Sequence, residues 1–185
     1  MHLNIPNILT LLRIAMIPVI VLVFYLPYDW ARPACAWIYG AAAITDWFDG
    51  YLARRWNQQS ALGAFLDPVA DKLFVVVALV LLVSAHPDIL IVLATCIIIG
   101  REITISALRE WMAELGKRSK VAVSMMGKFK TTAQMFAIAF LLHRDNWLGM
   151  PIYQIGEVLL VVAAILTLVT MFIYLRAAYE EVRNT

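Results

Sequence analysis

Four aspartates, arranged as two pairs, are the residues of this sequence most able to perform chemistry. Asp46 and Asp49 form the first pair, Asp67 and Asp71 form the second, and long apolar runs lie on both sides. A carboxylate inside an apolar segment is costly unless it lines a wet cavity, binds a cation or carries a proton. The four acids are therefore the first candidates for a functional site.

The spacing within each pair places the acids on a common helix face. Residues three or four apart on a helix are neighbours, so Asp46 lies beside Asp49, and Asp67 beside Asp71. The short segment between the pairs predicts two antiparallel neighbouring helices whose carboxylates face one cavity. Carboxylates at close range need a counter-charge. Oxygen ligands without His or Cys favour Mg²⁺, Mn²⁺ or Ca²⁺ over Zn²⁺. Because Mg²⁺ is usually bound by a few carboxylates together with phosphate groups of the substrate, we expect a substrate that carries phosphate.

The composition indicates an integral membrane protein. The chain has 185 residues, of which 63% are hydrophobic and 15% are charged, and these proportions suit a polytopic membrane protein better than a soluble globule. We expect one membrane domain over residues 1–185 and no removable signal peptide. The net charge of +2 gives no indication that the protein binds nucleic acid. Cys35 and Cys96 are isolated in apolar segments, which predicts small core residues and no zinc site.

Six transmembrane helices are predicted, so the expected fold class is all-α. Each span is close to the ~20 residues that cross a bilayer. Lys and Arg are concentrated in the loops on the side of the N-terminus, which places both termini in the cytoplasm by the positive-inside rule. The predicted spans are residues 8–26, 34–56, 62–85, 88–115, 124–142 and 153–179.

The charged residues of four predicted spans are expected to lie at similar depths in the bilayer. A helix rises ~1.5 Å per residue, which puts Asp46 ~18 Å and Asp71 ~21 Å below the outer boundary of the bilayer. Arg101 lies ~20 Å and Lys128 ~21 Å below that boundary, in a hydrocarbon layer ~30 Å thick. Acids and bases from four spans are therefore expected to line one active-site cavity that is open to the cytoplasm.

Small residues lie on the same helix faces as the acids. Gly50, Ala53 and Gly63 either allow the helices to pack closely or leave a slot for a flat group such as a nucleobase. Arg54 either contacts a phosphate or a base edge, or anchors its span at the cytoplasmic interface. The sequence leaves both alternatives open.

The complete pattern resembles the signature of the CDP-alcohol phosphotransferases. With every signature position filled, it reads Asp46-x-x-Asp49-Gly50-x-x-Ala53-Arg54, eight residues, then Gly63-x-x-x-Asp67-x-x-x-Asp71. The resemblance implies six transmembrane helices, a homodimer, and transfer of a phosphatidyl-type group from a CDP-linked donor to an alcohol with release of CMP.

The resemblance also implies roles for the signature residues. Asp46, Asp49 and Asp67 would bind two divalent cations, Mg²⁺ or Mn²⁺, and Asp71 would complete the cluster and act as general base. Metal lowering of the pKa of the acceptor hydroxyl would allow a carboxylate to serve as that base. The residues that bind CDP would be Gly50, Ala53, Arg54 and Gly63.

Basic residues of the fourth and fifth spans are candidates for acceptor binding, because Arg and Lys are natural phosphate ligands. In the alternative interpretation Arg101 pairs with Glu102 or another acid, and Lys128 and Lys130 extend to the interface. The candidates for binding the acceptor phosphate are Arg101, Arg109, Lys130 and Lys128.

Three further motifs resemble family members that use glycerol 3-phosphate: NIPNILTLLR, REITISALRE and GKFKTTAQM. This resemblance implies CDP-diacylglycerol as the donor and the bacterial inner membrane as the location. In the first motif, Asn7, Thr10 and Arg13 either face the cavity or cap and anchor the first helix.

Other functions are compatible with parts of the pattern. Another member of the same family would use inositol phosphate, serine or phosphatidylglycerol as acceptor. A cation or proton transporter would also use intramembrane acids, but the acid cluster is confined to one side and no polar path continues through the outer half of the bilayer. A scaffold is disfavoured, because four neighbouring carboxylates lack matching bases on their own helices.

Overall fold

Six α-helices form the part of the chain that the structure describes. This computed structural model describes residues 5–55, 61–115 and 125–183. Within those ranges all named secondary structure is helical, so the all-α prediction is confirmed. The helices are α1 (Ile5–Phe24), α2 (Ala31–Arg55), α3 (Ala61–Ala85), α4 (Ile89–Glu114), α5 (Met125–His143) and α6 (Ile152–Arg183).

Four of the helices are long and apolar enough to cross a membrane. They contain the segments Asn7–Phe24, Phe65–Ala85, Ile89–Glu114 and Ile152–Glu180. The other two, α2 and α5, contribute polar residues such as Asp46 and Lys130 to the interior of the bundle, which lowers their apolar content. The membrane character of the fold is thus supported by four helices, and the crossing of all six stays a prediction.

The observed helices follow the predicted spans closely, and the differences involve prolines and helix ends. α2 begins at Ala31, so Pro33 lies in its first turn, where the missing N–H of proline costs no helical hydrogen bond. Pro68 lies within α3, which continues from Ala61 to Ala85 without ending there.

α1 runs antiparallel to α2. The thiol of Cys35 lies 3.7 Å from the carbonyl oxygen of Ile20, and Arg13 pairs with Asp46 nearer the start of α1 and the end of α2. Residue numbers therefore increase along α1 in the direction in which they decrease along α2.

α1 runs parallel to α3. Thr10 donates a hydrogen bond to Asp67 near the start of both helices. The hydroxyl groups of Tyr25 and Ser84 lie 3.3 Å apart near their ends. α2 and α3 are consequently antiparallel, as predicted, and all the signature residues lie at one end of the bundle.

Apolar side chains fill the bundle beyond that end. Tyr39 of α2 stacks on Phe74 of α3 with ring centroids 5.6 Å apart, and this pair belongs both to the lining of a charged cavity and to the apolar core. The largest fully buried apolar residues of the core are Ile20, Leu79, Leu82, Ile91, Ile98, Ile138, Leu141, Leu142 and Leu160.

Gly156 allows α5 and α6 to pack closely, and we expect Gly156→Ala to destabilise the protein. An added Cβ would lie 3.0 Å from Leu141 Cγ, 3.1 Å from Phe140 Cβ and 3.2 Å from the carbonyl oxygen of Ala137. Crowding of this kind costs about 1–2 kcal/mol, more than the helix propensity gained by replacing glycine.

The measurement is the melting temperature of the detergent-solubilised protein. Gly100→Ala is the matched control, because nothing lies within 4 Å of the Cβ it would add. A melting temperature for Gly156→Ala at or above that of the control would contradict close α5–α6 packing at this point.

Candidate active site

A cavity of about 330 Å³ lies at the signature end of the bundle. Five helices contribute charged side chains to its wall, so acids and bases from distant parts of the sequence meet there. The charged lining residues are Arg13 of α1, Asp46 of α2, Asp71 and Lys72 of α3, Glu102 of α4 and Lys130 of α5.

Arg13 supplies the counter-charge for the acids. Its side chain is only 2% exposed, and its Nη1 lies 2.9 Å from Asp46 Oδ1 and pairs also with Asp71 Oδ1. One turn earlier on α1, Thr10 donates a hydrogen bond to Asp67 Oδ1. These contacts favour the cavity-facing interpretation of Thr10 and Arg13 over that of a helix cap and anchor.

α1 contacts both α2 and α3 at the signature end of the bundle. Among the described residues, both helices pack mainly against α1, and they contact each other where Tyr39 stacks on Phe74. Asp46 and Asp71 both pair with Nη1 of Arg13, and each is about two-fifths exposed. Because like charges repel, an arginine between the two carboxylates stabilises an arrangement that direct contact would oppose.

A second charged cluster forms between α4 and α5. Glu102 Oε1 lies 2.9 Å from Lys130 Nζ and 2.9 Å from Arg101 Nη1. Lys130 is 2% exposed, so it points into the bundle rather than towards the interface. Arg101 pairs with Glu102, as the alternative interpretation predicted, and of the two cations that contact this carboxylate, Lys130 lines the cavity and Arg101 is not among the described lining residues.

Sequence reasoning gave no role to Lys72 or Gln134, and considered Glu102 only as a partner of Arg101. Lys72 Nζ donates a hydrogen bond to Ser106 Oγ, which joins α3 to α4 beside the cavity. Gln134 is 6% exposed and lines the same cavity. A polar side chain inside an apolar span was the available signal for these residues.

The structure does not bring Arg109 to the cavity. Arg109 is exposed near the end of α4, whereas Arg101, eight positions earlier, is 11% exposed and contacts Glu102. Eight residues correspond to two turns plus about 80° of rotation, so the two arginines point in different directions. The role of Arg109 in acceptor binding stays a prediction.

Several predicted site residues lie outside the described side chains. The backbone of Asp49, Gly50, Ala53 and Arg54 continues α2, and that of Lys128 belongs to α5, but their side-chain positions are not described. Gly63 is buried in the first turn of α3. The CDP-binding roles of the four small or basic signature residues stay predictions.

The described donors suit hard divalent cations without forming a complete metal site. Asp46 and Asp71 face a common cation, the Arg13 guanidinium, and carboxylate oxygens are the ligands that Mg²⁺ and Mn²⁺ prefer. Among the described residues, no group of three His, Cys, Asp or Glu side chains forms a metal cluster. The remaining predicted ligands are Asp67, which accepts a hydrogen bond from Thr10, and Asp49, whose side chain is not described.

Comparisons with known proteins agree with the signature. The family model for CDP-alcohol phosphatidyltransferase matches residues 3–173. Proteins named CDP-diacylglycerol–glycerol-3-phosphate 3-phosphatidyltransferase from Shigella flexneri serotype 5b (strain 8401) and Escherichia coli (strain K12) are each 57% identical over 182 residues, which is 98% of both chains. A protein of the same name from Salmonella choleraesuis (strain SC-B67) is 57% identical over 179 residues, 96% of both chains.

Proposed function

Because the chain belongs to the CDP-alcohol phosphatidyltransferase family, we infer that it transfers the phosphatidyl group of CDP-diacylglycerol to glycerol 3-phosphate. The products are phosphatidylglycerophosphate and CMP, in phospholipid biosynthesis. The name shared by relatives that are 57% identical over 98% of the chain supports this acceptor over inositol phosphate, serine or phosphatidylglycerol. The apolar core beyond Tyr39 and Phe74 argues against the transporter alternative.

The observation that carries this proposal is one cavity that is lined by both carboxylates and basic side chains. Asp46 and Asp71 of the signature lie on α2 and α3, and Lys130 with Lys72 adds positive charge to the same space. The reaction joins a diphosphate donor, which needs charge neutralisation, to an acceptor that itself carries a phosphate. One cavity that holds both charge types is suited to bring the two substrates together.

Asp71 is proposed as the general base. The side chain borders the cavity and is 41% exposed, so it can reach a substrate hydroxyl. The hydroxyl oxygen of the acceptor forms a bond to the phosphorus that carries diacylglycerol, and its proton passes to Asp71. The bond between that phosphorus and the CMP oxygen breaks, and CMP leaves with the bonding electrons.

Lys130 is proposed to bind the phosphate of glycerol 3-phosphate. Its ammonium group is buried, lines the cavity and is held by Glu102. The same carboxylate contacts Arg101, so Glu102 keeps both cations near the acceptor. A lysine held in this way has less side-chain entropy to lose when the phosphate binds.

Divalent cations are proposed to bind at the aspartates of the signature. Asp46, Asp67 and Asp71, with Asp49, would hold two Mg²⁺ or Mn²⁺ ions, which supply neutralisation of the donor diphosphate when bound. Arg13 keeps two of these carboxylates side by side through its ion pairs. The support for this proposal is the chemistry of the donor set.

The membrane placement is also a proposal. Six crossings with both termini in the cytoplasm would place the cavity on the cytoplasmic side of the bacterial inner membrane, where glycerol 3-phosphate, a soluble metabolite, has access. The positive-inside pattern of the sequence supports this orientation. Surrounding membrane lipids are implied by the exposed apolar side chains of the candidate spans. The homodimer implied by the resemblance stays a prediction.

The test is CMP release by the purified protein with CDP-diacylglycerol, Mg²⁺ or Mn²⁺, and a panel of acceptors. We expect glycerol 3-phosphate to support turnover at least ~100-fold better than serine, myo-inositol phosphate or phosphatidylglycerol, because sites that hydrogen-bond a substrate group discriminate strongly. Turnover is also expected to stop when EDTA removes the divalent cations. Preference for another acceptor would replace the assigned substrate, and absence of CMP with every acceptor would contradict the proposed function.

A further inference from the structure

Gln134 is a buried polar residue without an assigned role, and it belongs to the same helix face as Lys130. The two residues are four positions apart on α5 and both line the cavity, so their side chains are neighbours about 5–6 Å apart at Cβ. Gln134 is 6% exposed, and none of the described protein groups donates a hydrogen bond to its Oε1.

A buried amide oxygen that accepts no hydrogen bond lowers the stability of the fold, so its presence in this position needs an explanation. Its place on the wall of a cavity, beside a buried lysine, means that a bound molecule can supply the missing donor. For a ligand that carries a phosphate, the donor would be a hydroxyl group, because an ionised phosphate has no proton to donate and is drawn to Lys130.

We propose that Gln134 is a specificity-determining residue whose amide oxygen accepts a hydrogen bond from the central hydroxyl of glycerol 3-phosphate. The inference rests on the proposed function. Glycerol 3-phosphate carries a phosphate at one end, the reacting hydroxyl at the other and a spectator hydroxyl between them. The spacing of Lys130 and Gln134 along α5 suits a phosphate and a hydroxyl separated by two carbon atoms.

The test compares glycerol 3-phosphate with 3-hydroxypropyl phosphate, which keeps the phosphate and the terminal hydroxyl and lacks the central one. The wild-type enzyme is expected to prefer glycerol 3-phosphate by about tenfold to hundredfold in kcat/KM, because the analogue leaves Gln134 without a donor. In Gln134→Met this preference should fall to about threefold or less, mainly through a raised KM for glycerol 3-phosphate.

Gln154→Met is the matched control, because Gln154 is exposed near the start of α6, at the other end of the bundle. This variant should keep the wild-type preference. Gln134→Met preserves side-chain length, and the wild-type comparison needs no variant, so the inference stays testable if the variant is poorly folded.

The outcomes separate the two proposals. If the wild-type enzyme releases no CMP with glycerol 3-phosphate, the proposed function fails. If it uses both acceptors equally well, or if Gln134→Met keeps the full preference, only the role of Gln134 is overturned, and a water molecule would then be the donor to its amide oxygen.

Discussion

Replacing Asp71 by asparagine is expected to reduce CMP release by about a thousandfold or more, in line with the loss of a general base. The asparagine side chain has nearly the same shape and cannot accept the proton of the acceptor hydroxyl. Arg13 retains its ion pair with Asp46, so the helices keep a charged contact at this point. The measurement is the initial rate of CMP release at saturating CDP-diacylglycerol and glycerol 3-phosphate.

The control for this variant is Asp145→Asn, which changes an exposed acid between α5 and α6. Both variants should elute as folded protein in detergent and melt within a few degrees of the wild type, and the control should keep its activity. Turnover of Asp71→Asn within about tenfold of the wild type would exclude Asp71 as the base, since general-base catalysis typically contributes more than that.

Replacing Arg13 by methionine is expected to have the second largest effect, on both stability and activity. The variant leaves Asp46 and Asp71 without their arginine. Breaking a buried ion pair costs about 3–5 kcal/mol, and we expect about 2–3 kcal/mol here because the two acids are partly exposed. CMP release should fall at least about tenfold, because the acids lose their relative positions.

Metal dependence distinguishes this role of Arg13 from simple packing. Without the guanidinium, divalent cations become the main counter-charge for the acids. Mg²⁺ should therefore raise the melting temperature of Arg13→Met by several degrees more than that of the wild type. Arg176→Met, which removes an arginine that is 83% exposed, should respond to Mg²⁺ like the wild type. Equal responses of all three proteins would contradict the counter-charge role.

Relations within one helix were predictable from the sequence. Asp67 and Asp71 share a face of α3 because the 3.6-residue period fixes the relative direction of residues four apart. The same argument identified the six helical segments, since apolar runs bounded by prolines and charges mark where helices begin and end. The signature residues, and with them the family, depend only on such local spacing.

Relations between helices depended on tertiary structure. Arg13 reaches an aspartate 58 positions away, and Glu102 reaches a lysine 28 positions away. Their direction is determined by the rotation and tilt of whole helices, which result from many weak packing contacts spread over the bundle. The sequence left open whether Arg101 would face a substrate or Glu102 for this reason.

The site around the four signature aspartates depends on both local spacing and tertiary structure. The types and spacing of its aspartates determined that the protein would gather carboxylates at one end of two antiparallel helices. Only the tertiary structure decided that α1 would lie against both helices, with Arg13 as the counter-charge, and that Lys130 and Gln134 of α5 would line the same cavity. The face of a helix on which a residue lies depends only on its spacing from nearby residues in the sequence. Which residues line a cavity depends on how all the surrounding helices pack against one another.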